Sequence, residues 1–197
     1  MTAYLVRHAA HDDVGAYLAG RTPGTRLGEA GRQQAERLAQ RLAREKLDAV
    51  LASPRERAQE TAAAIAATAG TGPVETAGGL DEVDFGPWAG RTFEDLDADP
   101  AWRRWNAMRS LTRAPGGETM LEVQARVIGV LERARDRFEG GRVALVSHSD
   151  PIKTIVMHLL GLPLDSWPRF EIAPASVTIA VIGEWGGKIT LLNAVTD

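Results

Sequence analysis

Short apolar runs alternate along this chain with longer stretches of helical periodicity. Ala3–Val6 is too brief for a helix and reads as a buried strand. Leu27–Glu45 repeats apolar or small residues at helical spacing (Ala30, Ala35, Leu38, Ala39, Leu42), the mark of an amphipathic helix ending near Lys46. Leu47–Ala52 reads as a second strand. An alanine-rich helix to about Ala69 follows, with Pro54 in its first turn, where a missing N–H is harmless. Gly70–Pro73 breaks that helix, and Val74–Ala77 forms a third strand. Thr119-x-x-Glu122 matches a capping box ahead of a long helix carrying Met120, Val123, Val127, Val130 and Leu131. Val143–Val146 is the central strand and Pro151–Leu160 the helix behind it; Val177–Ile182 and Lys188–Leu192 flank Glu184–Gly187 as a hairpin. Such alternation implies a three-layer α/β/α sandwich around a mostly parallel sheet.

Between about Gly78 and Gly117 the periodicity weakens, and glycine, proline, Trp88, Trp102 and Trp105 accumulate. This segment reads as a lid-like excursion with short helices, inside one domain spanning residues 1–197. A chain of this size buries roughly 70% of its unfolded surface, so its core needs no staples. There is no cysteine, hence no disulfide, thiolate metal site or cysteine nucleophile. A formal net charge of −3 argues against a general nucleic-acid or anionic-membrane binder, though a few arginines can still converge on an anionic substrate. The opening MTAYLVRH has no signal-peptide pattern, and no apolar run approaches the ~20 residues that span a bilayer. The expectation is a cytoplasmic enzyme or binding protein.

Two of the apolar runs, Tyr4-Leu5-Val6-Arg7-His8 and Ala144-Leu145-Val146-Ser147-His148, end in histidine. Ligands of open α/β sheets bind outside the carboxyl ends of the strands, so two such histidines can share one cleft. Phosphate monoesters are suited to a site of this kind. Arginine forks neutralise the dianion, a neutral imidazole attacks phosphorus, and a carboxylic acid with pKa near the working pH protonates the leaving alkoxide. Arg7-His8 and the strand-to-helix junction Ser53-Pro54-Arg55-Glu56-Arg57 supply the imidazole and the arginines. Asp81, Glu82 and Asp84 lie among apolar and aromatic residues that favour a raised pKa, and the residue pattern does not choose among them. Arg55 and Arg57 are equally open. His158, on an apolar helix, reads as a packed or interface histidine, Trp88 as packing beneath the Asp81–Asp84 segment, and Trp102, Trp105, Arg103, Arg104, Arg109 and Arg113 as lining a lid or as the cover of a solvated helix.

In this order the motifs resemble the histidine phosphatase superfamily, the phosphoglycerate mutase-like family, over nearly the whole chain. Arg7-His8-Ala9 is similar to its Arg-His-Gly signature, which implies a phosphorylated nucleophile at His8 and a phosphate ligand at Arg7. Ser53-Pro54-x-x-Arg57-Ala58-x-x-Thr61-Ala62 implies Arg57 as the second phosphate-binding arginine. Leu80-x-Glu82-x-x-Phe85-Gly86-x-Trp88-x-Gly90 implies Glu82 as general acid and base, and Val146-Ser147-His148 makes His148 the second pocket histidine. Pro115-Gly116-Gly117-Glu118 resembles the turn before the long helix. The family's polar residue six positions beyond the nucleophile is here Val14, which leaves His11 or the Gly20-Arg21-Thr22 loop to contact phosphate. Ser149 and Asp150 replace a glycine pair; a side chain at 149 narrows the cleft towards substrate and Asp150 adds negative charge.

The resemblance implies a metal-independent phosphomonoester hydrolase using phosphohistidine and no cofactor, acting on a small phosphorylated metabolite. The modest excursion favours hydrolysis over mutase-type transfer. The apolar C-terminal hairpin offers a homodimer edge. Two other classes remain in view: a metal-dependent hydrolase using His8, His11, Asp12, Asp13, His148 and Asp150 as ligands, and a non-catalytic phospho-ligand module.

Overall fold

Alternate side chains along each central strand serve two different cores, and this sets the layering. The protein is described by a computed structural model over residues 1–196. Strands β1 (Thr2–Arg7), β2 (Ala49–Ala52), β3 (Glu75–Thr76), β4 (Arg142–Ser147), β5 (Val177–Gly183) and β6 (Gly186–Ala194) form one sheet in the order β3-β2-β4-β1-β5-β6. The helices are α1 (Glu29–Leu42), α2 (Glu56–Ala69), α3 (Phe93–Ala98), α4 (Pro100–Ala107), α5 (Met120–Arg137) and α6 (Ser149–Leu159). Ala3, Leu5, Leu51, Val143 and Leu145 enter the core shared with α5 and α6. Tyr4, Val6, Val50, Ala144 and Val146 enter the core shared with α1 and α2. A strand covered on both faces reads as a continuous apolar run, which is why these segments showed no polar alternation.

β1 pairs parallel with β4, β4 with β2, and β2 with β3. β5 runs antiparallel to both β1 and β6, so the sheet is mostly parallel with an antiparallel hairpin at one edge. The register sets Arg7 beside Ser147 at the ends of β1 and β4. The next helices then diverge: α1 packs on one face of the sheet and α6 on the other. That divergence opens a crevice at the strand ends, the switch point at which such sheets hold ligands.

Several local expectations are corrected. Pro54 lies outside α2, because Arg55 is the extended N-cap residue and the helix begins at Glu56. α6 starts before Pro151, which at the third helical position needs no intrahelical N–H. His158 is exposed rather than packed; Ile152, Ile155, Val156 and Met157 fill the buried face of α6 and leave His158 to solvent. A 3₁₀ segment over Leu164–Arg169 carried no periodic signal. Residues 78–117 form 3₁₀ turns at Gly78–Leu80 and Gly86–Trp88 together with α3 and α4. Their Trp88, Trp102 and Trp105 are buried, with ring centroids 5.3–6.1 Å apart, so Trp88 packs as expected while Trp102 and Trp105 do not cover a solvated helix. Among the described residues no helix is long and apolar enough to cross a membrane.

Candidate active site

The chain turns sharply after β1, and α1 and α2 pin the turn. The Ala9 N–H donates to Thr61 Oγ1 on α2 (3.0 Å) and the Ala10 N–H to Gln34 Oε1 on α1 (3.0 Å). Gly31 of α1 packs so closely that a Cβ there would lie 1.8 Å from the Ala10 carbonyl oxygen. The turn holds His8 beside His148, ring centroids 5.1 Å apart. His8 Nδ1 lies 2.8 Å from the Ala9 carbonyl, which can only accept, so Nδ1 carries the proton. Nε2 then presents its lone pair and accepts from Arg57 Nε at 3.1 Å.

Arg57 projects from the first turn of α2 and is 1% exposed. Its Nη2 donates to the Gly20 carbonyl (2.7 Å) and sits 3.1 Å from His148 Nδ1, which must therefore accept. The His148 proton is on Nε2 and is donated to Ser53 Oγ at 2.7 Å. Arg7 Nη1 donates to the Ile172 carbonyl (2.6 Å), while Arg7 Nε and Arg57 Nη1 are buried without hydrogen-bond partners. Burial, and after it the Arg57 guanidinium, holds both histidines well below the usual imidazole pKa. Both rings are neutral at physiological pH.

The three neighbouring carboxylates have different surroundings. Asp81 pairs with Arg55 (3.0 Å) and accepts from the Glu82 N–H (2.8 Å). Asp84 accepts from the Gly86 N–H (2.9 Å) and faces Arg21 at 3.6 Å. Glu82 turns into the crevice, with Oε2 3.9 Å from His148 Nδ1 and Oε1 accepting from the Val83 N–H at 2.9 Å. Burial first, and the Asp150 charge second, push its pKa up to about 7 against the pull of Arg57 and Arg7. A carboxyl poised there can both give and take a proton near neutrality.

Arg7, His8, Arg57 and Glu82 line a cleft of about 640 Å³ that also holds His11 and Ser149, whereas His148 is fully buried and is not on its wall. Arg21 and Thr22, expected to bind substrate, are not on its wall. The Arg21 guanidinium turns away to Glu118 (2.9 Å) and the Glu82 carbonyl (2.8 Å), and the Thr22 N–H caps the Ala19 carbonyl (3.0 Å). Of that loop, the Gly20 carbonyl serves the site instead. Of the two readings open for Arg109, the structure favours the lid: it lies on the cleft wall and not on a solvated helix face. It is buried between the Trp105 and Trp167 rings (4.1 and 3.6 Å from their centroids) and donates to Asp150 Oδ1 at 2.8 Å. Lys153 also lines the cleft, 3.1 Å from the Trp167 carbonyl and 3.5 Å from Glu171. Asp150 and Lys153 share one face of α6 by their i,i+3 spacing, a signal readable in sequence; nothing in the sequence marks the tryptophan stack on Arg109. Among the described residues no group of three or more His, Asp or Glu side chains is arranged to hold a metal ion.

The family description "Histidine phosphatase superfamily (branch 1)" matches residues 3–195. Phosphoserine phosphatase 1 of Hydrogenobacter thermophilus is 34% identical over 193 residues, covering 96% of this chain and 90% of its own. Among solved structures, Bacillus stearothermophilus YhfR superimposes with a TM-score of 0.89 at 30% identity, over 98% of this chain and 97% of that one. Mycobacterial glucosyl-3-phosphoglycerate phosphatase complexed with VO3 gives 0.87 at 28% identity, over 98% of both chains.

Proposed function

This chain belongs to the histidine phosphatase superfamily and is a phosphatase-type hydrolase of small phosphorylated metabolites, and we propose that it works through a phosphohistidine on His8. The observation that carries the proposal is the fixed tautomer of His8: a proton tied to the Ala9 carbonyl at Nδ1, which leaves the ring's one lone pair on Nε2, where it accepts from Arg57 until a phosphoryl group takes that contact. Arg7 Nε and Arg57 Nη1, each buried without a partner, take the nonbridging phosphoryl oxygens, and His148 lies against the same group. His8 Nε2 attacks phosphorus, the N–P bond forms as the ester P–O bond breaks, and Glu82 gives its proton to the departing alcohol oxygen. Glu82, now ionised, takes a proton from water as that water attacks phosphorus. The N–P bond breaks, orthophosphate leaves, and both residues return to their starting forms.

His11 and Ser149 contact the substrate in this reading. The outer wall, with its Arg109–Asp150 and Lys153–Glu171 pairs, suits an alcohol portion bearing polar groups of both signs, such as a phosphorylated amino acid. The scheme needs no metal or organic cofactor, and neither nucleic acid nor membrane is a partner. We place the chain in the cytoplasm and assign homodimerisation to the C-terminal hairpin, with exposed Trp185 in its turn and Leu192 on β6; sedimentation tests this. The direct test is hydrolysis of 4-nitrophenyl phosphate by wild type and His8→Ala, with and without EDTA. EDTA-resistant turnover that disappears in the variant is expected. Near-wild-type turnover by His8→Ala would overturn the nucleophile, and loss of wild-type turnover in EDTA would assign the site to a metal.

A further inference from the structure

The turn Pro115–Glu118 and the misread Arg21 meet behind Glu82, on the side away from the cleft. The Glu82 carbonyl accepts from two guanidinium groups on different parts of the chain: Arg21 Nε at 2.8 Å and Arg126 Nη2, from α5, at 2.9 Å. Arg126 Nη1 also donates to the Asp81 carbonyl (2.6 Å) and the Gly79 carbonyl (2.9 Å), so one guanidinium spans the acid segment. Glu118 ties the two arginines together. Its Oε2 accepts from Arg21 Nη2 (2.9 Å), Arg126 Nη2 (3.0 Å) and the Asp84 N–H (2.9 Å), and its Oε1 from Arg126 Nε (2.9 Å).

Backbone packing adds a second constraint. A Cβ on Gly117 would lie 2.0 Å from the Asp84 carbonyl oxygen, and one on Gly86, at φ +53°, would lie 2.0 Å from the Pro115 carbonyl oxygen. The two turns are in contact with no room for side chains between them. The Glu118 N–H donates to the Asp84 carbonyl at 2.9 Å, closing the joint. By contrast the Glu82 carboxyl has one short contact, its own neighbour's N–H, and is otherwise free to serve the cleft.

We infer that Arg21, Arg126 and Glu118 form a positioning unit that holds the Glu82 main chain so that its carboxyl meets the leaving oxygen of the ester. The inference rests on Glu82 being the general acid. None of the three residues lines the cleft, so each acts through Glu82 and not on the substrate. Misplacing a catalytic group by about 1 Å can cost a factor of about 100 in rate. That loss falls on esters whose leaving group needs a proton and spares those that leave unaided.

The test compares kcat/KM for an alkyl ester, glycerol phosphate, with that for 4-nitrophenyl phosphate, whose phenolate departs without protonation. Glu82→Gln is run in parallel and is expected to lose about 100-fold or more on the alkyl ester and far less on the aryl ester. Arg21→Ala, at a partly exposed position, is expected to lose about tenfold on the alkyl ester and under about twofold on the aryl ester, with Arg21→Lys between it and wild type. Arg126→Lys is expected to show the same selectivity, and Arg21→Ala keeps the test available if that variant does not fold. Equal losses on both esters, or no loss on either, in Arg21→Ala would overturn the positioning role. Absence of selectivity in Glu82→Gln itself would instead remove the acid assignment, and the positioning unit with it.

Discussion

The proton that Glu82 needs as the proposed acid makes its contributions to activity and to stability pull in opposite directions. Its pKa of about 7 lies above the ordinary 4.5, so the folded protein binds that proton more tightly than the unfolded chain does. The linked stability is present at low pH and is lost as pH rises from about 4.5 through about 7, by an amount of order 3 kcal/mol. Glu82→Gln keeps the shape without the charge. It is expected to melt well above wild type at about pH 8 and close to it near about pH 5, while losing about 100-fold in kcat/KM on alkyl esters. Wild-type kcat/KM should fall tenfold per pH unit above about 7, as the free enzyme's acid ionises, and this limb should be absent in Glu82→Gln. Matched melting curves at the two pH values, with a pH–rate profile, check both statements. The two strand ends marked His8 and His148 as candidates for one cleft, because a strand end fixes where such a side chain goes, whereas the residue pattern left Arg55 and Arg57 open and only the family resemblance singled out Arg57. It did not separate Glu82 from Asp81 and Asp84, since the difference is which carboxylate an arginine already occupies. Arg21 sat near the right loop but faces the other way, and Arg109 is defined by two rings that are 62 residues apart in the sequence (105 and 167).

Between elements, close packing decides which substitutions reach the site. Gly31 lies on α1, away from the cleft wall, yet its missing Cβ is what allows the helix to sit against the Ala10 carbonyl at the base of the His8 turn. Gly31→Ala therefore has to push α1 or that turn aside. A loss of about 1–3 kcal/mol in denaturant titration is expected, as for overpacking, together with at least a tenfold fall in kcat/KM on aryl and alkyl esters alike. Thr119 is the contrasting case: it caps α5 by accepting from the Glu122 N–H at 3.1 Å while Glu122 accepts from the Thr119 N–H at 2.7 Å. Thr119→Ala should lower stability by about 1 kcal/mol, read in the same titration. The capping box and the apolar runs were legible because each is set by local chemistry. The helices of residues 93–107 were not located by periodicity, because each is too short for a stripe to repeat: Leu96 alone is buried on α3, and Trp102 and Trp105 on α4.

At the scale of the molecule, the site is a joint between segments that otherwise hold the two faces of the sheet apart. His8 follows β1, Arg57 begins α2, and His148 caps α6, so an anion bound by all three links the α1/α2 layer to the α5/α6 layer. Binding to the folded state alone must then stabilise the whole fold. Orthophosphate at about 100 times its Kd should contribute about 2.7 kcal/mol. For a chain of this length each kcal/mol moves Tm by about 2–4 °C, so the shift should be about 5–10 °C. The size of the shift distinguishes the groups. Arg57→Ala removes a buried cation that also fixes the two histidine tautomers, and its Tm should no longer respond to phosphate. His8→Ala removes the proposed nucleophile but neither arginine, so most of the shift should survive although turnover should not. Thermal melts of the three proteins across a phosphate titration check this. An equal response in Arg57→Ala and wild type would mean that the anion binds elsewhere on the molecule.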